Sequence, residues 1–316
     1  MTGHVLTFGE TMGLFRAAEI GGLADVDTAR IGTGGADSNV AIGLSRLGVP
    51  AVWVGRVGAD GIGRRVVRDI RGQGVDARPI ADPDRPTGLM LKEKRTPHTT
   101  KVWFYRSGSA GSGLQPADID DGLIEAAALV HVTGITASIS ESGRETVRRV
   151  LAVARSSGVP ISFDVNHRPV LWPTGDPGPV YREIAASADV VFAGDDEAAL
   201  LLGEPITDPA ALIDGMHALG PATAVLKRGA LGSVASDGGP LVEYPALQVP
   251  VVDTVGAGDA FVAGFLAARL RGDGLRDCLT VATAAGAFAC MGLGDWESMP
   301  RTDELALLEA SDPVSR

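Results

Sequence analysis

The stretch Val252–Phe261, which reads VDTVGAGDAF, decides how the rest of the chain is interpreted. Gly256 and Gly258 allow a tight turn and a close approach of the backbone to a ligand, and the residues after them predict a helix from about Ala260 to Leu270. The first turn of a helix has unpaired N–H groups with partial positive charge, so it can bind an anion. Asp259 lies in this turn and can accept a proton. Anion-binding amides beside a carboxylate are what phosphoryl transfer to an alcohol requires.

A simpler interpretation is a helix start at which Asp259 complements the helix dipole and the glycines only form the turn. An isolated GAGD segment does not decide between the two. Other glycine-rich motifs fit less well, because a dinucleotide-binding fingerprint would need a small residue in place of Phe261 and an acidic residue farther along. The sequence also contains no GxxxxGK[ST] phosphate-binding loop and no GxSxG nucleophile elbow.

The composition is typical of a soluble globular enzyme and limits the partners that we expect. The chain has 316 residues, of which 45% are hydrophobic and 21% charged, and its formal net charge is −11. This length suits one large domain, alone or with a small accessory domain. Nucleic acids and anionic membranes favour basic protein surfaces, so neither is expected as a partner. Any anionic ligand must therefore be attracted by local donors.

No targeting or membrane-spanning segment is predicted. Met1 to Glu10 lacks the basic region, apolar run and cleavage site of a secretory signal. Leu279 to Gly294, the longest uncharged run, is too short for a membrane span and predicts a buried helix that ends at glycine. Cys278 and Cys290 have no metal-ligand spacing, so we interpret them as small buried apolar residues. A cytoplasmic location follows as the default expectation.

Strand and helix patterns alternate along most of the chain. The predicted strands are Val5–Glu10, Val52–Val54, Leu129–Val132, Ile161–Asp164, Val190–Ala193 and Ala224–Lys227. The predicted helices are Ser142–Ser156, Val180–Ser187, Glu197–Leu202 and Pro209–Leu219, with an earlier one that opens after Gly35 and closes at Gly48. This alternation predicts an α/β fold with a mostly parallel sheet and helices on both faces. Ligands of such sheets bind at the carboxyl ends of the strands.

Two segments interrupt this alternation with hairpin-like patterns. The first covers residues 12–31, and the second covers residues 88–106. The second contains two apolar runs, Gly88–Leu91 and Lys101–Tyr105, separated by a charged turn from Glu93 to Thr99. The segments either decorate the edge of the main sheet or pair into a small sheet that covers the ligand site and excludes water.

The VDTVGAGDAF stretch resembles the DTxGAGDxF signature of the PfkB, or ribokinase-like, carbohydrate kinases, and the match continues through Gly264. Four further segments resemble this family, so the resemblance extends from about residue 3 to 305. They are Gly34–Ala41, Gly194–Glu197, Lys227–Gly232 and Ala284–Ala287. The resemblance implies a ribokinase-like fold with a large α/β domain and a small β lid. The large domain would comprise residues 1–11, 32–87 and 107–316, and the lid would comprise residues 12–31 and 88–106. An exposed lid sheet would also offer an edge for a homodimer or a larger oligomer.

The resemblance assigns roles to individual residues. Asp259 would accept the proton of the attacking hydroxyl, and the N–H groups of Gly256, Ala257 and Gly258 would stabilise the phosphoryl charge. Sugar hydroxyls would contact Gly34, Gly35 and Asn39. The nucleotide would contact Lys227, Gly229, Gly232, Ala284 and Ala285.

The family's metal motif is only partly matched. Glu197 would organise Mg²⁺ through water, with help from Asp196, although an acidic helix start would explain both residues equally well. Gly194 stands where the family has asparagine, which removes the side chain of one expected phosphate contact. ATP and Mg²⁺ are thus the predicted cofactors, and a monovalent cation is left open as a third.

Three segments are similar to one branch of the family, the 2-keto-3-deoxygluconate kinases. They are Phe104–Ser112 (FYRSGSAGS), Asp164–Trp172 (DVNHRPVLW) and Gly294–Pro300 (GDWESMP). Arg106 and Arg168 would bind the carboxylate of a sugar acid, with Tyr105 as a nearby hydroxyl donor. The other interpretation is that these arginines form structural ion pairs.

The predicted activity is transfer of the ATP γ-phosphoryl group to a primary hydroxyl of a sugar acid, with 2-keto-3-deoxygluconate as the first choice. Phe104 replaces a tyrosine of that branch, so a neutral sugar such as fructose or ribose, or 5-dehydro-2-deoxygluconate, stays open as the substrate. A sensor that binds sugar or nucleotide without catalysis is a more distant alternative, which Gly194 alone favours. An oxidoreductase with a doubly wound sheet would need the fingerprint that the chain lacks.

Overall fold

The computed structural model describes residues 3–96 and 99–308. The strands are β1 (His4–Phe8), β2 (Met12–Ala17), β3 (Ala29–Gly34), β4 (Ala51–Gly58), β5 (Asp76–Asp82), β6 (Leu89–Thr96), β7 (Thr99–Tyr105), β8 (Ala127–Thr133), β9 (Ile161–Asp164), β10 (Val190–Ala193), β11 (Thr223–Lys227), β12 (Ser233–Ser236) and β13 (Val242–Tyr244). The helices are α1 (Ala36–Arg46), α2 (Gly61–Gly72), α3 (Asp121–Glu125), α4 (Gly134–Ile139), α5 (Glu141–Ser156), α6 (Gly178–Ala185), α7 (Asp195–Leu202), α8 (Pro209–Ala218), α9 (Ala257–Arg271) and α10 (Leu275–Cys290).

The main sheet of the described residues has nine strands in the order β13-β12-β11-β10-β9-β8-β1-β4-β5. Every pair from β11 to β5 is parallel, and β12 and β13 add an antiparallel edge. Successive side chains of a strand point to opposite faces, so Leu6 and Phe8 of β1 pack in the core under α5 to α8. Val5 packs in the other core, with α1, α9 and α10. The predicted mostly parallel sheet with helices on both faces is confirmed.

A separate four-stranded sheet, called here the small sheet, has the order β3-β2-β6-β7. The pair β2–β6 is parallel, and the other two pairs are antiparallel. Met12, Leu14 and Met90 form a buried apolar cluster on its inner face, against which Val102 and Phe104 pack. The hairpin-like segments therefore pair with each other, as the second sequence-based interpretation expected.

The structure shifts several predicted boundaries. Strand β3 continues to Gly34, beyond the predicted limit at residue 31, because it pairs with β2 as far as Met12. Strand β6 continues past Glu93 because it stays paired with β7, and residues 97 and 98 of the predicted turn lie outside the described residues. Helix α9 begins at Ala257 rather than Ala260, because Gly256 adopts a left-handed conformation (φ 78°) and starts the helix at once. Helix α10 ends at Cys290, before the predicted glycine end.

The cysteines and the helix lengths agree with two of the expectations from sequence. Cys278 is buried and Cys290 half-buried, and both are free thiols. Burial raises the pKa of the Cys278 thiol to about 11, so this side chain stays protonated at neutral pH. None of the helices in residues 3–96 and 99–308 combines the length and the apolarity needed to cross a bilayer.

Replacing Phe265 with alanine should destabilise the protein by about 3–5 kcal/mol. This side chain is fully buried in α9 and packs edge-to-face against Phe192 of β10, with ring centroids 5.1 Å apart. Alanine would leave a cavity between the helix and the sheet. Urea unfolding measures the change. The control Ile20→Ala, at a side chain that is 61% exposed, should change the free energy of unfolding by less than about 0.5 kcal/mol. Equal effects of the two substitutions would contradict this packing.

Candidate active site

A cavity of about 590 Å³, called here the first cavity, lies between the main sheet and the inner face of the small sheet. Its main-sheet side is formed where parallel strands end: Asn166 follows β9, Gly194 follows β10 and Lys227 ends β11. Asp259 closes it from the start of α9. The site therefore lies at the carboxyl ends of the strands, as the fold pattern predicts.

Asp259 is held at the bottom of this cavity by two amide groups. The Nδ2 of Asn39 donates to Oδ2 of Asp259 at 2.7 Å, and the Nδ2 of Asn166 donates to Oδ1 at 3.3 Å. Burial raises the pKa of Asp259 to about 6, although the hydrogen bond from Asn39 acts in the opposite direction. The carboxylate is therefore ionised at neutral pH but is a stronger base than an ordinary aspartate.

The residues Asp253–Gly258, called here the anion-binding turn, present backbone N–H groups to the site. Gly256 has a positive φ of 78°, and a side chain there would collide with the carbonyl of Asp295. Among the described residues no side chain caps α9. The N–H of Ala257 donates to the carbonyl of Thr254 at 3.3 Å, so the amides of Gly256 and Gly258 are the ones available to a ligand. The structure thus brings these amides and the Asp259 carboxylate together, as the sequence predicts.

The predicted sugar contacts of α1 are partly rearranged. Gly35 and Asn39 line the first cavity, but Gly34 does not. Gly34 ends β3 and lies against the carboxylate of Asp295, which leaves no room for a side chain. The Asn39 amide is directed at Asp259, so this residue orients the carboxylate whatever else it contacts.

The two predicted arginines differ in their environments. Arg106 forms a buried ion pair with Glu10, with Nε and Nη2 each 2.7 Å from Oε2, and Ser109 also donates to Glu10. Arg168 lines the cavity and is exposed, and its Nη1 donates to the carbonyl of His167 at 3.3 Å. Within the described residues no carboxylate lies within ion-pair distance of Arg168. The structural ion-pair interpretation therefore describes Arg106, whereas Arg168 is available to an anionic ligand.

Tyr105 does not line the first cavity, contrary to the prediction. Its side chain is 62% exposed, while Phe104 lines the cavity. Neighbouring residues of a strand point to opposite faces, and β7 presents Val102 and Phe104 inward. The phenyl ring of Phe104, and not the hydroxyl group of Tyr105, therefore faces the cavity.

A second cavity of about 390 Å³ adjoins the first one. Both are lined by Lys227, Thr254 and Gly258, so the anion-binding turn lies where they meet. Gly229 and Gly232, which were predicted to contact a nucleotide, also line the second cavity, and so does Ala257, which was predicted to stabilise the phosphoryl charge. A ligand whose charged end lies at this junction would reach both cavities.

The residues of α10 that line the second cavity are not the predicted ones. Thr283, Gly286, Ala287 and Cys290 face it, at the spacing of one helix face. Ala284 and Ala285 lie outside the lining, and Ala285 packs in a small buried cluster. The helix indicated by the family resemblance therefore lines the second cavity, but through other residues than Ala284 and Ala285.

Lys227 carries a positive charge to the junction of the cavities. Its Nζ lies 2.5 Å from Oδ1 of Asp164, a fully buried carboxylate. Burial alone would lower the pKa of Lys227, but the charges of Asp164, Glu197 and Asp259 raise it above its usual value. The side-chain amine of Lys227 is therefore protonated at neutral pH.

Glu197 is the described residue that best fits a Mg²⁺ ligand. Both carboxylate oxygens already accept backbone N–H groups, Oε2 from Gly194 and Oε1 from His167, each at 2.7 Å. The carboxylate lines the first cavity and keeps further lone pairs for a water of the ion. Asp196 is exposed and outside the lining, because the first turn of α7 directs it away. In the described part of the chain no three His, Cys, Asp or Glu side chains cluster as a metal site, which suits an ion held mainly by phosphates and water.

Four charged or amide side chains of the first cavity were not predicted as site residues: Glu10, Lys92, Asn166 and Asp295. A signal existed for two of them, because Glu10 and Asn166 are polar residues shortly after predicted strands. Lys92 and Asp295 had no such signal, since they reach the cavity only through the packing of the small sheet on the main domain.

Comparisons with known proteins identify the family of the chain. The profile described as pfkB family carbohydrate kinase matches residues 2–301. A 2-dehydro-3-deoxygluconokinase of Bacillus subtilis (strain 168) is 35% identical over 305 residues, which are 95% of this chain and 94% of the relative.

Two solved structures show the same fold. A PfkB protein from Polaromonas sp. JS666 has a TM-score of 0.86 at 33% identity, covering 96% of this chain and 98% of that chain. An E. coli protein assigned as a ribokinase II and solved with ATP and Mg²⁺ has a TM-score of 0.89 at 24% identity, covering 97% and 99% of the two chains. With the family profile extending over nearly its whole length, this chain belongs to the pfkB family of carbohydrate kinases.

Proposed function

We propose that this protein transfers the γ-phosphoryl group of ATP to a primary hydroxyl of a sugar acid of the 2-keto-3-deoxygluconate type. The observation that carries the proposal is the buried carboxylate of Asp259, held by two amides beside the backbone N–H groups of Gly256 and Gly258. The name of the Bacillus subtilis relative, 2-dehydro-3-deoxygluconokinase, supports this choice of substrate.

In the proposed mechanism each cavity binds one substrate. The sugar occupies the first cavity, and ATP occupies the second with its γ-phosphoryl group at the junction. The sugar hydroxyl gives its proton to Asp259 while its oxygen bonds to the γ-phosphorus, and the bond to the bridging oxygen of ADP breaks. The amides of the anion-binding turn and the ammonium group of Lys227 stabilise the charge on the phosphoryl oxygens. Bound Mg²⁺, organised by Glu197 through water, would neutralise phosphate charge.

One unpaired cation of the first cavity favours a substrate with one negative charge. Four cationic side chains line this cavity, and three of them are paired with carboxylates. The pairs are Lys92–Asp253, Arg106–Glu10 and Lys227–Asp164. Arg168 is the remaining cation, and a single guanidinium suits a carboxylate better than the double charge of a sugar phosphate.

A neutral sugar such as fructose or ribose is the second candidate substrate. Two observations favour it: Arg106 is already neutralised by Glu10, and the phenyl ring of Phe104 lines the cavity without a hydroxyl group. A coupled ADP-release assay over sugar acids, including 5-dehydro-2-deoxygluconate, and neutral sugars decides between the candidates. ATP binding without turnover on the whole panel would favour a sensor.

Several predictions from the sequence remain proposals. The small sheet is proposed to act as a lid over the first cavity and to offer a surface for a homodimer or larger oligomer, and the cytoplasm is the proposed location. Assays in K⁺, Na⁺ and tetramethylammonium salts test the open role of a monovalent cation.

Replacing Asp259 with asparagine should lower turnover by roughly 10²–10⁴, the range for a positioned acid–base group. The amide keeps the size of the side chain but cannot accept the proton, so ATP binding, measured by calorimetry, should survive. Asp277→Asn is the matched control, because Asp277 is an exposed aspartate in the first turn of the neighbouring helix α10. Turnover of Asp259→Asn close to that of this control would exclude Asp259 as the base.

The kcat/KM value should fall about tenfold per pH unit below a pH of about 6. Burial raises the pKa of Asp259 to about 6, and the base works only when deprotonated, so activity is kept above this pKa and lost below it. Steady-state assays from pH 4.5 to 8 measure the profile. Calorimetry of ATP binding over the same range distinguishes the effect of nucleotide protonation from that of Asp259 protonation. An acid limb near the ordinary aspartate pKa of about 3.9 would contradict the prediction.

Replacing Arg168 with alanine should raise the KM for the sugar acid by roughly 10- to 100-fold, the value of a hydrogen bond to a charged group. The KM for ATP should stay unchanged, because Arg168 does not line the second cavity. The control Arg276→Ala removes an exposed arginine of α10. An unchanged KM for the substrate that the wild type prefers would indicate a neutral sugar.

A further inference from the structure

The small sheet and the anion-binding turn are joined by a buried ion pair. The Nζ of Lys92, on β6, lies 2.5 Å from Oδ2 of Asp253, the first residue of the turn. Only 4% of the Lys92 side chain and 5% of the Asp253 side chain are exposed. A charge buried to this degree persists only with a partner, since an unpaired buried charge is strongly unfavourable. The position of β6 and the conformation of the turn are therefore coupled.

Asp253 in turn shapes the backbone of the anion-binding turn. Its Oδ1 accepts the N–H of Val255 at 3.3 Å, and its own N–H donates to the carbonyl of Cys290 at 3.2 Å. Gly256, which presents the turn to the first cavity, follows directly after Val255. The Asp253 carboxylate therefore contacts the backbone of the turn directly before the amide of Gly256, which would receive the phosphoryl group.

Lys92 is also the cation of a group of buried carboxylates. Burial raises the pKa of Asp295 to about 7; the charge of Lys92 acts in the opposite direction, and Asp259 and Asp253 raise this pKa further. Asp295 lies against Gly256, whose Cα faces its carbonyl. Without the ammonium group, the pKa of Asp295 would rise further, and Asp253 would lose its ion-pair partner.

We propose that Lys92 is a positioning residue for phosphoryl transfer, which fixes Asp253 and so aligns the amides of the anion-binding turn once β6 is seated over the site. The inference rests on the proposed function, because it assumes that the turn receives the γ-phosphoryl group. It gives the small sheet a part in the chemical step, since the strand that covers the sugar also brings the charge that orders the turn.

Two other roles of Lys92 make different predictions. A lysine that only binds the sugar would raise the KM for the sugar when replaced and leave kcat nearly unchanged. A lysine that only stabilises the fold would lower the melting temperature, and the activity of the folded fraction would stay normal. A positioning residue lowers kcat at a nearly constant sugar KM, because its effect is on the amides that bind the transition state.

The test compares Lys92→Met and Lys92→Ala in the full-length enzyme, after the wild type has been shown to phosphorylate a sugar from the panel above. Methionine keeps most of the length of the side chain and removes the charge, whereas alanine leaves space for an added cation. Both variants should lose roughly 10²–10³ in kcat, the range for removing a preorganised oxyanion donor. ATP binding should persist, and the sugar KM should change by less than about threefold, a small effect on binding.

Added n-propylammonium should occupy the space left in Lys92→Ala and raise the kcat of this variant at least tenfold, with saturation at high concentration. It should not affect Lys92→Met, because the methionine side chain fills this space. Lys101→Met is the matched control. Lys101 lies on the adjoining strand β7, and its Nζ lies over the ring of Trp103, 4.7 Å from the ring centroid. Its kcat should equal that of the wild type.

Several outcomes would overturn the inference. These are an unchanged kcat in Lys92→Met, a change confined to the sugar KM, a loss explained by the unfolded fraction, and a failure of n-propylammonium to restore Lys92→Ala. A wild type that transfers phosphate to no sugar overturns the proposed function together with this inference. Activity of the wild type with any of the first four results overturns the inference alone.

Discussion

The site depends on one constraint, that the carboxylate of Asp259 stays ionised although it is buried at the start of α9. Burial favours the neutral form of an aspartate, whereas the helix dipole and the amides of Asn39 and Asn166 favour the charged form. Asn39 comes from α1 and Asn166 from the segment after β9, so three elements converge on one side chain. Phe265 and its neighbours hold α9 in the core, and Asp259 lies in the first turn of this same helix.

The paired charges around Asp259 explain how an acidic chain binds anionic ligands. With a net charge of −11 the protein as a whole repels phosphates, so attraction must come from within the site. Each lysine there is paired with a carboxylate, which holds the cation in place and prevents a large local excess of positive charge. Arg168 is the exception among the cations of the first cavity, and its free guanidinium gives the sugar end a single positive charge.

The features that the sequence predicted correctly are those encoded locally. The strand–glycine–helix pattern around Asp259 and the alternation of strands and helices depend on neighbouring residues, and the structure reproduces both. Errors arose where a shift of one residue places a side chain on the other face of its strand or helix. Tyr105 and Phe104 point to opposite sides of β7, and Ala285 faces away from the second cavity. The pairing of Lys92 with Asp253 could not be predicted, because 161 positions separate the two residues and the motif that contains Asp253 does not indicate its partner.

The same cations that attract phosphate also protect the base. Asp164 already raises the pKa of Asp259, and a bound polyphosphate would raise it further by adding negative charge nearby. If the carboxylate became protonated when ATP bound, it would lose its proton-accepting role at the moment of reaction. Lys227 counteracts this effect, since its charge lowers the pKa of Asp259 from the junction of the two cavities. The lysine at the end of β11 therefore acts on both reactants: it draws in the phosphates and keeps the base ionised in their presence.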